Sequence, residues 1–405
     1  MTERLLVTGA RVLTPGGEWP LGWIAAEGGK IAAMGQGQPP PGTGAGADVL
    51  PADGLIAMPG FIDLHVHGAV GVEVMDADPE GLVRMARFFA AHGVTAWLPS
   101  TLTASGPDTE RALEAVRAVA GPVDGGATIL GAYLEGPYLN PVKAGAQDPA
   151  HIRPADRAEA ARLLDPGVAR ILVLAPEIEA NRWLIADAVA RGVTVSAGHT
   201  DATYDQAVTA VEDGVRHVTH AFNAMRPLGH REPGMLGAAL TLPELRCELI
   251  ADNVHVHPAV MRLLFAAKGP AGVVLVSDSL RATGLPEGAY TVGDRPVFAM
   301  DGAIRLADGT LAGSVLTLDR ALHNLQAATG RPLAELWPAA SRNPAQAIGV
   351  DDAKGSLEPG KDADLVLLDP ALKVVVTVVE GAVVHGDDRL VRSSQPATGR
   401  SSPRR

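Results

Sequence analysis

The stretch PGFIDLHVHG, residues Pro59–Gly68, contains an apolar run that ends in two histidines, His65 and His67. Successive side chains of a β-strand point to opposite faces, so both imidazoles should lie on one face of a strand. Two imidazoles on one face can bind one metal ion, but a strand end can also carry two solvated histidines. The stretch is therefore predicted to be a buried strand with a candidate metal pair at its end.

Beyond this stretch, apolar segments alternate with segments of helical periodicity. GVTAWLPST, TILGAYLEGP and RILVLAPE are each followed by a predicted helix, over Thr109–Ala120, near Ala155–Leu164 and over Asn181–Arg191. The series continues through VTVSAGHT, RHVTHAFN, CELIADNVHV and GVVLVSDS. Counting FIDLHVHG first, this gives about eight strands, which favours a closed parallel (β/α)8 TIM-like barrel over residues 59–349.

Both ends of the chain have strand character without intervening helices. The segments LLVTGARVLT, GKDADLVLLDP and KVVVTVVEGAVVHG predict one small β-sandwich domain built from residues 1–58 and 350–388. The chain ends in SSQPATGRSSPRR, which has almost no apolar side chains. Residues 389–405 are therefore predicted to be a disordered tail.

Composition excludes several classes of protein. Hydrophobic residues make up 47% and charged residues 20% of the 405 residues, as in a compact globular protein. The net charge of −12 and the lack of a basic stripe argue against nucleic-acid binding. The apolar runs are too short to cross a membrane, Cys247 has no partner for a disulfide, and the start lacks a secretory layout. The expected compartment is the cytoplasm.

Polar residues that end the apolar runs are the candidates for chemistry, because strand ends meet at the catalytic face of such a barrel. Glu135, His199 and His220 end three runs, and a carboxylate with imidazoles suits Zn²⁺ or Fe²⁺. Asp278 follows VVLVS and has two interpretations, a helix N-cap or a proton shuttle beside a metal site. Its position alone does not decide between them.

PGFIDLHVHG resembles the first-strand signature of the amidohydrolase superfamily. Six further segments are similar to one family within it, the N-acetylglucosamine-6-phosphate deacetylases: LEGPYLN, LAPE, VSAGHTDATYDQA, THAFNAMRPLGHREPG, VSDS and LAGSVLT. Their order extends over almost the whole chain. The resemblance implies metal-dependent hydrolysis of N-acetyl-D-glucosamine 6-phosphate to D-glucosamine 6-phosphate and acetate, in amino-sugar catabolism or cell-wall recycling.

The resemblance also implies a role for each candidate residue. Glu135, His199 and His220 match the main metal ligands of the family, and Asp278 matches its catalytic aspartate. His65 and His67 match a second metal pair that only some members have, with Glu135 as the bridge. We therefore expect one or two divalent ions, Zn²⁺ or Fe²⁺, per subunit.

Further positions are implied to bind the substrate. They are Ala146, Gln147, Asn223, Ala224, Arg231, Asp252, His255, Leu311, Ala312 and Gly313. Asn223 and Ala224, through main-chain N–H groups, together with Arg231 and His255 would hold the phosphate. Arg231 is contributed by the neighbouring subunit in the family, which implies a homodimer; the alternative is a surface ion pair of Arg231 with Glu232.

Gln147 is a departure from the family pattern, because relatives commonly have a histidine at this position that contacts the substrate. Glutamine can donate a hydrogen bond but cannot titrate. His151, four residues later in the chain, is an alternative for that role.

Two other functions stay open. The first is deacetylation of N-acetylgalactosamine 6-phosphate, a substrate that differs in the configuration of one hydroxyl. The second is a catalytically silent amidohydrolase-like scaffold.

Overall fold

A computed structural model describes residues 4–165, 167–386 and 392–393 of the chain. The strands are β1 Arg4–Thr14, β2 Gly17–Glu27, β3 Lys30–Gln36, β4 Asp48–Pro51, β5 Ile56–Pro59, β6 Phe61–Val66, β7 Gly68–Ala69, β8 Val72–Glu73, β9 Val94–Thr101, β10 Thr128–Ile129, β11 Ala132–Glu135, β12 Ala169–Leu174, β13 Thr194–Ala197, β14 His217–Val218, β15 Arg246–Ile250, β16 Val273–Val276, β17 Gly288–Val292, β18 Arg295–Met300, β19 Ala303–Leu306, β20 Leu311–Ser314, β21 Leu365–Leu368, β22 Val374–Val379, β23 Ala382–His385 and β24 Arg392–Ser393. The α-helices are α1 Pro79–Ala90, α2 Gly106–Val119, α3 Arg157–Leu164, α4 Arg182–Ala190, α5 Tyr204–Asp213, α6 Gly234–Thr241, α7 Pro258–Lys268, α8 Leu318–Thr329, α9 Leu333–Ala340 and α10 Arg342–Ala347.

Eight parallel strands form the predicted barrel. Strand β6 pairs with β9, and β11 to β16 follow β9 in chain order. The ring closes where the main-chain N–H of Asp278, just after β16, donates to the carbonyl of His65 at 2.8 Å. All eight residues of β9 are buried, as expected for a strand of a parallel sheet that is covered on both faces. The closure therefore brings together His65, at the start of the barrel, and Asp278, at its end, which are both candidate site residues.

The predicted helices lie between these strands, with small shifts at their ends. Helix α2 begins at Gly106, three residues before the predicted start, because the Ser105 side chain caps it by accepting from the N–H of Asp108. Asp156 caps α3 in the same way, by accepting from the N–H of Glu159. Because of such caps, the start of a helix can be predicted from a polar residue that comes just before a segment with helical spacing of apolar residues.

Strands from both ends of the chain form a second sheet of nine strands, in the order β23-β22-β21-β5-β1-β2-β3, with β4 paired to β1 and to β24. Strand β21 runs antiparallel to β5, with Leu365 opposite Pro59. The barrel and a second β-rich unit are thus confirmed. Of the predicted tail, only Arg392–Ser393 lie within the described residues, where they pair with β4.

A four-stranded antiparallel sheet, β17 to β20, is inserted between the last barrel strand and α8, and it was not predicted. Its core contains Val297, Ile304 and Leu306, which pack with Leu280 from the segment after β16. Strand β20 ends the insertion with Leu311–Ser314 beside the mouth of the barrel.

Among the helices that the structure describes, none has the length and apolar character that a membrane span requires.

Candidate active site

A cavity of about 190 Å³ lies at the carboxyl ends of the barrel strands. It is lined by residues from many parts of the chain: His67, Leu102, Glu135, Gly145, Ala146, Gln147, His199, His220, Asn223, Ala224, His255, Asp278, Leu280, Val292, Thr310, Leu311, Ala312 and Gly313. Most of the residues singled out in the sequence therefore converge on one place. This is the location at which barrels of this type carry their chemistry.

Glu135, His199 and His220 form one group of candidate metal ligands, and all three are buried. Oε1 of Glu135 lies 3.2 Å from Nε2 of His199 and 3.0 Å from Nε2 of His220. The two imidazole nitrogens are 3.1 Å apart. Three donor atoms from three strand ends thus point at a common centre.

His65, His67 and Asp278 form a second buried group. The Nε2 atoms of the two histidines are 3.0 Å apart, and Nε2 of His67 lies 3.3 Å from Oδ1 of Asp278. Oε2 of Glu135 lies 3.2 Å from Nε2 of His67. Glu135 therefore faces both groups, with Oε1 nearest His199 and His220 and Oε2 nearest His67, and would be a ligand available to either one.

The outer nitrogens of the histidines show that these donor sets fit a metal ion. Nδ1 of His199 lies 2.8 Å from the carbonyl of Lys143, and Nδ1 of His67 lies 3.2 Å from the carbonyl of Ser100. A carbonyl can only accept, so each Nδ1 carries the hydrogen and, in the neutral ring, each Nε2 keeps its lone pair. Histidines held through one nitrogen with the other nitrogen free are typical of metal sites.

Without a cation, the carboxylates of the site favour the protonated forms of His65 and His67. Burial disfavours the charged form of His67, but hydrogen bonds to Asp278 and Glu135 outweigh it and raise the pKa of His67 to about 9. Burial also opposes ionisation of Glu135, yet His65 and the hydrogen bonds from His199 and His220 hold its pKa well below the usual value. The carboxylates are thus ionised and attract either protons or a metal ion to the histidines.

Three of the candidate metal-binding and catalytic residues have a left-handed backbone although none is glycine. The φ angles are 46° at His199, 28° at His220 and 50° at Asp278. Non-glycine residues in this region cost about 1 kcal/mol or more, and such strain clusters at functional sites. The strained turns occur directly after strands β13, β14 and β16, where they aim the side chains inward.

The predicted substrate residues divide into two sets. Eight line the cavity: Ala146, Gln147, Asn223, Ala224, His255, Leu311, Ala312 and Gly313. The main-chain N–H of Asn223 donates to the carbonyl of His220, so this predicted phosphate donor is already engaged. Asp252 lies behind the cavity, where its Oδ2 is 2.6 Å from Nδ1 of His255 and orients that ring.

Arg231 does not line the cavity of its own chain and is exposed. Among the described residues it forms no ion pair, so the alternative pairing with Glu232 is not found. Glu232 instead accepts hydrogen bonds from the main-chain N–H groups of Tyr204 and Gly234. Arg231 is therefore an exposed cation without an ion-pair partner in the part of the chain that the structure describes.

Gln147 is buried and contacts a candidate metal ligand. Its Nε2 donates to Oε2 of Glu135 at 2.5 Å, and its Oε1 accepts from the N–H of Thr103 at 2.8 Å. His151, the alternative for this role, does not line the cavity. The glutamine thus orients the bridging carboxylate as well as facing the cavity.

Glu248 was not predicted from the sequence; it lies inside the barrel on β15 and is fully buried. It contacts His65, His217 and the main chain of His220. The signal was a carboxylate within the otherwise apolar strand CELIAD. Leu102, Val292 and Thr310 were also missed, because they reach the cavity from a loop and from the unpredicted insertion.

Comparisons with known proteins agree with this site. Residues 56–384 match the model of the amidohydrolase family. The chain is 40% identical over 331 residues to the N-acetylgalactosamine-6-phosphate deacetylase of Escherichia coli O157:H7, with 81% of this chain and 88% of that one covered. It is 35% identical over 393 residues to the N-acetylglucosamine-6-phosphate deacetylase of Bacillus subtilis (strain 168), with 95% and 98% covered.

A solved structure is also similar. A mutant of N-acetyl-D-glucosamine-6-phosphate deacetylase from Mycobacterium smegmatis, in complex with N-acetyl-D-glucosamine 6-phosphate, matches with a TM-score of 0.87 and 34% identity. The match covers 94% of this chain and 99% of that one. The likeness thus extends over both the barrel and the second sheet.

Proposed function

This chain belongs to the amidohydrolase family, and from that premise we propose that it hydrolyses N-acetyl-D-glucosamine 6-phosphate to D-glucosamine 6-phosphate and acetate. Relatives that carry the name of this activity cover nearly the whole chain. The observation that carries the proposal is the cavity in which Glu135 faces both groups of candidate metal ligands beside Asp278. The cytoplasm stays the predicted compartment.

The six candidate ligands define what the site can hold. They are Glu135, His199, His220, His65, His67 and Asp278. Imidazole and carboxylate donors in this ratio suit Zn²⁺ or Fe²⁺. Such an ion, when bound, lowers the pKa of water and polarises a carbonyl, which an amide needs because it is a poor electrophile.

Asp278 is placed to move the proton. Its carboxyl is only 9% exposed, and although burial opposes ionisation, His65 and His67 lower its pKa. Its carboxylate accepts a proton from the attacking water and then delivers it to the amide nitrogen, since an unprotonated amide nitrogen is a very poor leaving group. The helix N-cap interpretation is not supported, because no helix follows Asp278 directly.

The phosphate is expected to bind at the outer rim, where His255 and Ala224 line the cavity. Arg231 completes this rim from a second copy of the chain, as a bidentate donor to phosphate oxygens. Its exposure and its lack of an ion pair among the described residues support a role outside its own chain. The proposed assembly is a homodimer with shared sites.

The test is acetate release from N-acetyl-D-glucosamine 6-phosphate by purified, metal-stripped protein. Release should be absent without metal and should return when Zn²⁺ or Fe²⁺ is added back. An enzyme that releases no acetate with either metal would contradict the proposal.

N-acetyl-D-galactosamine 6-phosphate is the second candidate substrate, favoured by the 40% identity to a relative named for that activity. Both sugars present the same acetamide and phosphate, so the site described above serves either one. Comparing kcat/KM for the two epimers decides between them. A higher value for the galacto epimer would reassign the substrate and leave the chemistry unchanged.

A further inference from the structure

Glu248 is a carboxylate in the interior of the barrel, with no exposed surface. An ionised carboxylate without partners would be very costly there. An apolar side chain would fill the same space without this cost. A carboxylate at this position is therefore expected to have a specific role.

Three donors surround the Glu248 carboxylate. Oε2 lies 3.0 Å from Nδ1 of His65 and accepts from the main-chain N–H of His220, also at 3.0 Å. Oε1 lies 3.1 Å from Nε2 of His217. One carboxylate therefore contacts a member of each group of candidate metal ligands, His65 by its ring and His220 by its backbone.

The contact with His65 decides which ring nitrogen is free. Oε2 already accepts from the main-chain N–H of His220, so it is also the acceptor toward His65. Nδ1 of His65 therefore carries the hydrogen and, in the neutral ring, Nε2 keeps its lone pair. That Nε2 faces Nε2 of His67 at 3.0 Å. Tyr133 stacks on the His65 ring at 4.3 Å between centroids and limits its rotation.

We propose that Glu248 is the positioning residue that makes the His65, His67 and Asp278 group competent to bind a second metal ion. It acts through His65, whose tautomer and orientation it sets. It does not line the cavity. The proposal deepens the metal-dependent part of the proposed function by assigning the group that keeps its second ion in place.

The test uses the full-length, metal-stripped chain, titrated with Zn²⁺ in a calorimeter. Wild type should show two binding events per chain. Glu248→Gln offers one acceptor oxygen to three donors, so the affinity of one event should fall about 10–100-fold, the usual loss for an outer partner of a ligand. The event assigned to Glu135, His199 and His220 should change less, because Glu248 contacts only the backbone of His220 in that group and touches none of its ligand atoms.

The matched control is Glu159→Gln. Glu159 is also largely buried, 12% exposed, but its partners are Arg153 and Tyr138 and not a metal ligand. This variant should bind both ions as wild type does. In a His65→Gln background, Glu248→Gln should have little further effect, because the residue through which it acts is already gone.

Three outcomes would overturn the proposal: a single binding event in wild type, unchanged affinities in Glu248→Gln, or an equal loss with and without His65. If Glu248→Gln does not fold, Glu248→Asp keeps the charge but shortens the reach, and the same criteria apply to it. Since the readout is Zn²⁺ binding alone, the result does not depend on which sugar is the substrate. Failure of the deacetylase proposal would instead appear as absent acetate release with two ions bound.

Discussion

Asp278 shows how one residue acquires its role from its neighbours. Its left-handed backbone, with φ 50°, follows the last barrel strand, and its main-chain N–H closes the barrel onto His65. The same turn places its carboxylate beside His67. Asp278 therefore closes the barrel through its main chain and serves the candidate site through its side chain. A substitution that tests its chemistry must keep the size of the side chain, so that the barrel closure is not disturbed.

Asp278→Asn keeps that size and removes the ability to accept a proton. We expect the sugar phosphate to bind with nearly unchanged affinity while kcat falls about 10²–10⁴-fold, the usual scale for a lost general acid–base group. Steady-state kinetics with acetate detection measures this. Asp319→Asn, which alters a buried carboxyl paired with His92, is the control and should keep kcat. Near-normal turnover of Asp278→Asn would remove Asp278 from the proton transfer.

At the scale of elements, a cluster of ion pairs joins the second sheet to the barrel. Lys354, 7% exposed, lies 2.8 Å from Asp362 and 2.9 Å from Asp364, just before β21. The carbonyl of Asp364 accepts from Gly60 immediately before β6. The lysine therefore neutralises carboxylates at the point where the two sheets meet.

Lys354→Met should leave the buried carboxylate of Asp364 without its cation. Removing one partner of a buried pair costs about 3–5 kcal/mol, so the thermal midpoint should fall by many degrees. Differential scanning calorimetry measures the shift. Lys30→Met is the matched control, since Lys30 also pairs with Asp362 but is 52% exposed, and an exposed pair is worth about 1 kcal/mol or less. Equal shifts for both variants would contradict the role of the buried lysine.

At the scale of the whole molecule, metal binding should stabilise the fold, because the ligands come from strand ends distributed around the barrel. Zn²⁺ at 100 times its dissociation constant adds about 2.7 kcal/mol. The thermal midpoint should therefore rise on addition of Zn²⁺ and fall on chelation. The rise should shrink as the pH is lowered below about 9, the pKa of His67, because protons then compete for the ligand nitrogens. A thermal midpoint that does not change on addition of Zn²⁺ at any pH would argue against metal binding at this site.

The homodimer has a test of its own, based on mixing two variants. If Arg231 acts on the neighbouring site, a mixed dimer of Asp278→Asn and Arg231→Gln chains contains one intact site. Random exchange should then restore about a quarter of wild-type sites at low substrate concentration. Each variant mixed with itself is the control. No recovery in mixtures shown to have exchanged subunits would place Arg231 outside the shared site.

The barrel and most of the candidate site could be predicted from the sequence alone. Strand and helix periodicity is local, and each of Glu135, His199, His220 and Asp278 ends an apolar run, so these residues were predicted to lie together without any contact information. His65 and His67 were predicted as a pair because two residues along a strand share a face. The insertion β17–β20 was missed because its short strands interrupt the strand–helix alternation on which the prediction rested.

How these residues combine could not be predicted from the sequence and depends on the folded barrel. That Glu135 divides its two oxygens between two groups, and that Glu248 holds His65 across the barrel, depends on strands distant in sequence. The position of Arg231 away from the cavity of its own chain is likewise a three-dimensional fact. In the sequence, Glu248 is only a charged residue within an otherwise apolar strand, with no indication of its partners. Closure of the barrel brings the first strand and the later strands around one interior, where the buried carboxylate can form hydrogen bonds with residues distant in sequence.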